Sequence, residues 1–406
     1  MSGGSELGAK VTRAFAVARN EGPRALAQRF ARHAYERLDA ASLVEPLLDD
    51  DIADSTRVDL PVPAERPSRS QPLRIGWLMV PPAAGSGGHT TLFRMIEAAE
   101  QAGHTCELYL YDRYGGDVKA HERIIRTWWP QIRAGVHDAA AGIPGLDACI
   151  ASSWDTAHVL ARRGTSPMQR LYFIQDFEPF FYPRGSMYEL AEDSYRFGFR
   201  CIALGDMVAE LLRSEVGITP DVTEFGCDTS VYRPLPGRER TGVVLYARPS
   251  VPRRGFWLAR LALQRFHELH PDIEIHLYGS EVKDLRFPAT QHGRLAPAEL
   301  NELYNRSIAG LAMSFTNISL VAEEMLAAGT IPIVNDSLHS RADLVNEHVG
   351  WATPTPNGIA EALSAAVTRA DRASAALAAS RSVRQFGWAK AQADVVRVIE
   401  HEVYGS

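Results

Sequence analysis

The sequence predicts an α/β protein made of two consecutive doubly wound domains with parallel sheets. Two observations carry that prediction and a third bounds it. Short apolar runs alternate with helical stretches from Leu73 onward, the pattern of a parallel sheet covered on both faces. The alternation restarts near Thr241 as a second full series. Ahead of both lies PVPAERPSRSQP at 61–72, a Pro/Ser stretch that reads as a linker. A chain of 406 residues, 46% hydrophobic and 23% charged, has room for about two or three globular units.

Residues 1–60 read as a helical extension. VTRAFAVARN and PRALAQRFARHAYERLDAASLVEPLL place apolar residues three and four apart. Arg13, Arg19, Arg24, Arg29, Arg32 and Arg37 make the segment basic. It suits a solvated helix packed on the body of the protein or a homodimer element. Peripheral contact with the inner face of a membrane is the alternative. Residues 73–234 form the first doubly wound domain, with strands at LRIGWLMV, CELYLYD, LDACIASS, RLYFIQD, CIALGD and DVTEFG. Residues 235–386 form the second, with strands at GVVLYAR, IEIHLYG, AGLAMS and IPIVND. Its helices are FWLARLALQRFHELH, APAELNELYNR, LVAEEMLAA and IAEALSAAVTRA. Residues 387–406 end the chain in a helix that can cross back onto the first domain.

Composition narrows the function. A net charge of −6 and a pI near 6.1 give no basic field for nucleic acid. Cys106, Cys149, Cys201 and Cys227 are widely spaced with no CxxC, which argues against a disulfide framework or a zinc site and fits a reducing cytoplasm. The N-terminus shows no apolar signal-peptide core, and no apolar run approaches the roughly 20 residues that span a bilayer.

Several short segments carry chemistry. YARPSVPRRGF follows a strand and sets Arg248, Arg253 and Arg254 on one loop after Tyr246. Permanent cations so placed can clamp a diphosphate and neutralise a leaving group. SFTNISLVAEEMLAAGTIPIVND at 314–336 reads as loop, helix, glycine stop and strand, with Ser319 as N-cap and Gly329 just past the helix end. A helix opening after a polar loop directs free amides at an anion, so Asn317, Ile318, Ser319 and Leu320 are candidate donor contacts, and Glu324 lies within the same helix. GSGGH at 85–89 opens a helix after the first strand; Gly87 and Gly88 let a ligand approach the backbone, and His89 sits at the helix start. Gly279 ends a strand facing the same place. YFIQDFEPFFYPRG begins at Tyr172 and sets Asp176 and Glu178 among Phe177, Tyr182 and further aromatics. Carboxylates beside rings suit the hydroxyls and faces of a sugar acceptor.

Together these segments resemble the family-4 glycosyltransferases of the GT-B fold: two facing Rossmann-like domains with a nucleotide-sugar site in the second. Arg248 matches the family's arginine, Arg254 best matches its lysine with Arg253 as the alternative, and Glu324 matches the second acid of its Glu-x7-Glu motif, which contacts the donor ribose. The first acid is missing: Thr316 stands there. HGRLAPAEL resembles the segment beside the nucleotide base, which puts Gly293 and Arg294 near it. GCDTSVYRP resembles the interdomain segment, with Asp228 near its mouth. "YxRPxxxRxxF", "GGHTT" and the aromatic stretch resemble bacterial rhamnosyltransferases of surface glycans. The resemblance implies a retaining, metal-independent hexosyltransferase with no cofactor. Its substrates would be a nucleotide-sugar donor, dTDP-L-rhamnose, and a saccharide or lipid-linked glycan acceptor. Arg248, Arg254 and Glu324 would act at the donor, while His89 and Asp176 orient sugar and acceptor. If the enzyme inverts instead, Asp176 or His89 becomes the general base. The alternatives are a non-catalytic nucleotide-sugar or carbohydrate binding protein and a sugar-nucleotide epimerase.

Overall fold

The computed structural model describes residues 45–317, 320–383 and 387–405. The described residues fall into two units divided between Ile52 and Ala53, and both sheets lie in the second. The basic helical segment up to residue 44, with its membrane or dimer role, lies outside the described residues, as do Ile318 and Ser319. Residues 53–60 are not helical as the sequence suggested. Asp54 accepts hydrogen bonds from the Thr56 amide (2.9 Å) and hydroxyl (2.7 Å), a local turn that competes with helix.

The first sheet holds seven parallel strands: β1 (Arg74–Met79), β2 (Thr105–Leu110), β3 (Gly135–Asp138), β4 (Ala148–Ala151), β5 (Gln169–Ile174), β6 (Arg200–Leu204) and β7 (Asp221–Thr223). Their order is β3-β2-β1-β4-β5-β6-β7. Helices α1 (Gly87–Gln101), α2 (Val118–Trp128), α3 (Trp154–Arg163), α4 (Ser186–Asp193) and α5 (Asp206–Leu211) connect them. The second sheet holds six: β8 (Gly242–Ala247), β9 (Glu274–Gly279), β10 (Thr290–Gln291), β11 (Ser307–Leu311), β12 (Ile331–Asn335) and β13 (Gly350–Ala352). They run parallel in the order β10-β9-β8-β11-β12-β13. Its helices are α6 (Phe256–Leu269), α7 (Pro297–Arg306), α8 (Leu320–Ala328), α9 (Leu338–Asp343), α10 (Pro356–Thr368) and α11 (Arg372–Ser382). In each sheet the order reverses beside the first strand, between β1 and β4 and between β8 and β11. Ligands of such sheets bind at that reversal, beyond the carboxyl ends.

Each sheet has its own apolar core. The first gathers Ile75, Trp77, Phe93, Leu108, Ile150 and Phe173. The final helix, α12 (Ala389–Tyr404), adds Val395, Val398, Ile399 and Val403 to it. The chain therefore crosses from the first sheet to the second and back again. The two crossings touch: a Cβ on Gly226 would lie 2.3 Å from the Gly387 carbonyl oxygen, so Gly226 has no space for a methyl group. Arg94 of α1 holds both crossings. It forms an ion pair with Asp228 and stacks over Trp388 at 4.7 Å. The 61–72 stretch is tied down at its ends: Arg170 donates to the Pro61 carbonyl (2.8 Å), and Tyr404 to that of Gln71 (2.5 Å).

Candidate functional site

The carboxyl ends of the two sheets meet, and hydrogen bonds cross the seam. The loop between β8 and α6 supplies the cations. Arg248 donates to the Tyr246 hydroxyl (2.8 Å), and Arg254 donates to Ser314 Oγ (3.0 Å). Arg253 lies over the Phe181 ring at 4.4 Å, with its Nε 3.8 Å from Asp176 Oδ2. The loop is pinned to the one after β11, because the Phe315 amide donates to the Arg253 carbonyl (2.9 Å). Gly255, at φ +62°, lets Phe315 lie against the backbone; a Cβ there would meet the ring at 2.7 Å. Burial, with Arg253 beside it, pulls the Arg254 guanidinium down to about 10; Asp176 opposes this and Arg248 adds to it. Two guanidinium groups, those of Arg253 and Arg254, thus stand beside the Asp176 carboxylate, with Arg248 on the same loop.

The loop after β11 is held from several sides. Asn335, ending β12, accepts from the Ser314 amide (2.8 Å), and the Ser314 hydroxyl donates to the Asn317 carbonyl. Thr316 Oγ1 and the Asn317 amide donate to Asp176 at 2.8 and 3.1 Å, and Asn317 Nδ2 donates to the Gln175 carbonyl (2.7 Å). Leu320, which opens α8, packs its side chain on the first core. Asp176 is 5% exposed. Burial raises its carboxyl above the usual range, and Arg254, Arg253 and the two hydrogen bonds oppose that rise.

The aromatic stretch is arranged differently from the acceptor platform the sequence suggested. Phe177 is fully buried against Phe180 and Tyr195. Glu178 accepts from the Trp154 amide at the start of α3 and from the Tyr172 hydroxyl (2.8 Å), and its own amide donates to the Tyr195 hydroxyl (2.9 Å). Burial, then Asp155 nearby, pushes Glu178 up to about 8. Tyr182 is half-buried, and its hydroxyl accepts from Trp154 Nε1 (3.1 Å). Phe177 and Glu178 are buried in the core around α3, and Tyr182 packs beside them half-buried. The physical reason is that a helix N-terminus buried beside a strand end needs an acid to receive its amides.

His89 is likewise committed. Its Nε2 lies 3.1 Å from the Val80 carbonyl, which fixes the proton on that nitrogen; Nδ1 then accepts from Ser86 Oγ (2.9 Å). Burial lowers its pKa, so the neutral ring ties the glycine loop to the end of β1 and is not a free base. A Cβ on Gly87 would meet nothing within 4 Å, and one on Gly88 would lie 3.8 Å from Gln175 Oε1, so the glycine loop adjoins the seam. Sequence reasoning missed Trp128. It ends α2, is 53% exposed, and its ring lies 3.6 Å from the position of a Cβ on Gly85. Its neighbour Trp129, buried against Phe93, anchors that end of the helix. A tryptophan left in water beside a glycine loop was the signal available.

Glu324 belongs to a second cluster. The Tyr232 hydroxyl bonds to it, and Asp228, Arg94 and Glu323 are the charges acting on it. Burial pushes it up to about 7. Gly279 ends β9, its amide donating to the Gly293 carbonyl (2.7 Å), and Arg294 follows, exposed. Among the described residues no group of three His, Cys, Asp or Glu side chains could hold a metal ion, and no helix is long and apolar enough to cross a membrane.

Two parallel α/β sheets meeting at their carboxyl ends over an arginine loop define the GT-B fold of glycosyltransferases. Residues 241–364 match the family described as "WsaF, C-terminal domain", and residues 142–207 match "WsaF, N-terminal domain". The chain is 28% identical over 330 residues to the O-antigen biosynthesis protein RfbC of Myxococcus xanthus, covering 77% of this chain and 26% of that protein. It therefore spans about a quarter of the length of that relative. Among solved structures it is similar to a glycosyltransferase from Rickettsia africae (TM-score 0.59, 12% identity, 83% of this chain and 100% of that one). It is also similar to Anabaena HepE in complex with UDP and glucose (TM-score 0.58, 14% identity, 81% and 98%).

Proposed function

We propose that this protein is a glycosyltransferase of surface-glycan synthesis that takes L-rhamnose from dTDP-L-rhamnose and passes it to a saccharide or lipid-linked glycan acceptor. One observation carries the reading. Arg253 and Arg254 lie beside the buried carboxylate of Asp176, and Arg248 acts on Arg254 from the same loop, so three guanidinium groups share one partly buried loop. Buried positive charge is costly to hold, and a diphosphate brings charge of the opposite sign. Hydrogen bonds to charged groups contribute roughly 1.5–3 kcal/mol each, so an arginine clamp can hold the donor and stabilise the departing diphosphate.

In this reading the donor diphosphate lies along the arginine loop and the Ser314–Asn317 loop, and Glu324 takes the ribose. The base lies toward Gly279, Gly293 and Arg294. The acceptor enters from the first sheet along Gly85–Gly88, with a sugar face on Trp128. Arginines and amides supply the electrostatic stabilisation, no metal or cofactor takes part, and the reaction retains configuration at the sugar. The acceptor hydroxyl then attacks from the face the diphosphate leaves, and a phosphate oxygen takes its proton. His89 holds the glycine loop in place. Rhamnose lacks one hydroxyl of the common hexoses, which suits a donor loop with Thr316 where the Glu-x7-Glu motif it resembles has an acid. The O-antigen relative and the WsaF match support a glycosyltransferase of surface-glycan synthesis. The enzyme would work in the cytoplasm, where nucleotide sugars are made.

The test is a metal-free panel of nucleotide sugars, read by thermal stabilisation and then by turnover with saccharide acceptors. A bound donor raises apparent stability by mass action. Stabilisation and transfer with dTDP-L-rhamnose are expected. A UDP- or GDP-sugar acting instead discards rhamnose and keeps the transferase. Binding without turnover makes this a nucleotide-sugar binding protein, and no stabilisation by any nucleotide overturns the reading.

A further inference from the structure

Thr316 and Asn317 belong to the second sheet, yet their polar groups turn to the first. Thr316 is 1% exposed, and its hydroxyl donates to Asp176 Oδ2 at 2.8 Å. The Asn317 amide takes the other carboxylate oxygen at 3.1 Å, and the Asn317 side chain reaches the Gln175 carbonyl at 2.7 Å. Three hydrogen bonds therefore run from the donor loop to the end of β5. Arg253 Nε stands 3.8 Å from the same Oδ2 and, like Asn317 Oδ1, is buried without a hydrogen-bond partner. The carboxylate that position 316 lacks is thus present on the opposite sheet. A glutamate at 316 would bring a second buried carboxylate against Asp176, and two like charges at such a distance cannot both ionise.

A second bond crosses in the other direction: the Met207 amide at the start of α5 donates to Asp343 Oδ1 at 3.0 Å. Each sheet so lends the other an acid. Of these two acids, Asp176 is the one whose contact lies on the loop that also carries Arg254's partner Ser314, so it ties the seam to the shape of the anion site.

We propose that Asp176 is a positioning residue of the donor site, acting through Thr316 and Asn317: it holds the Ser314–Asn317 loop in its donor-binding shape from across the seam. The proposal rests on the reading that the arginine loop and the Ser314–Asn317 loop hold the donor diphosphate.

The test is a charge-swap cycle in the full chain, read by the KM for the nucleotide sugar, by kcat, and by melting temperature to certify folding. Thr316→Val keeps the volume and removes the hydroxyl; it should raise the donor KM about tenfold and leave kcat within about threefold. Thr316→Ser should restore the wild-type KM, which a loss of packing alone would not allow. Thr316→Glu should be worse than Thr316→Val, and adding Asp176→Asn to it should recover at least about tenfold, because one carboxylate again faces one neutral donor. If the wild type binds no nucleotide sugar, the functional reading fails. If it binds and the cycle is additive, or Thr316→Val binds as the wild type does, the positioning role is overturned.

Discussion

The aromatic segment after β5 and the arginine loop after β8 each lie beyond a strand end, the first one strand removed from the reversal of its sheet and the second beside it. They are used in opposite ways. Phe177, Glu178 and Tyr182 turn inward and satisfy one another and α3. Arg248, Arg253 and Arg254 stay together on one loop at the seam and keep their charge, with Asp176 opposite Arg253 and Arg254. The difference lies in what each residue type can do once buried. An acid can take a proton or receive amides and so become part of a core; a guanidinium keeps its charge. An arginine cluster at a strand end is therefore the stronger sign of a ligand, and an acid among rings the weaker.

The sharpest way to break this comparison is Arg254→Ala. Loss of a charged contact to the diphosphate should lower kcat/KM for the donor about a hundredfold and abolish stabilisation by the nucleotide sugar. Steady-state kinetics beside a melting curve check it; unchanged donor kinetics in a folded variant would remove the arginine loop from the site.

Next in size is Trp128→Ala. The acceptor KM should rise about tenfold while slow hydrolysis of the donor stays as it was, because only the acceptor face is removed. Trp128→Phe should recover part of the loss. An unaltered acceptor KM would return the acceptor to another surface.

The smallest expected effect on activity belongs to Glu178→Gln, whose signature is in stability. Burial raises the carboxyl from its ordinary value of about 4.5 to about 8. Between those values the folded chain keeps a proton that the unfolded chain releases. The stability this group contributes is therefore full below about pH 4.5 and falls as pH rises through about 8. Glutamine cannot titrate, so its melting temperature should depend less on pH from 5 to 8 while donor and acceptor KM stay within about twofold. A large rise in acceptor KM would put Glu178 back at the ligand.

The sequence displayed the two sheets clearly because their inner strands are continuous apolar runs. The short edge strands β3, β10 and β13, of two to four residues, carried too little pattern to be read. The arginine loop was legible because a strand, three cations and a glycine are adjacent in the chain. Glu178 was misread because its partner Trp154 lies 24 positions away. Thr316 showed as a departure, but its meaning needed Asp176, 140 positions distant and on the other sheet. Local spacing reports which side chains share a loop; it cannot report which pair across a seam.

The contact of Gly226 with Gly387 makes a missing side chain part of the architecture. A methyl group at 226 would meet the passing backbone at 2.3 Å, so even alanine there would push the two crossings of the chain apart and, with them, the seam where the sheets meet.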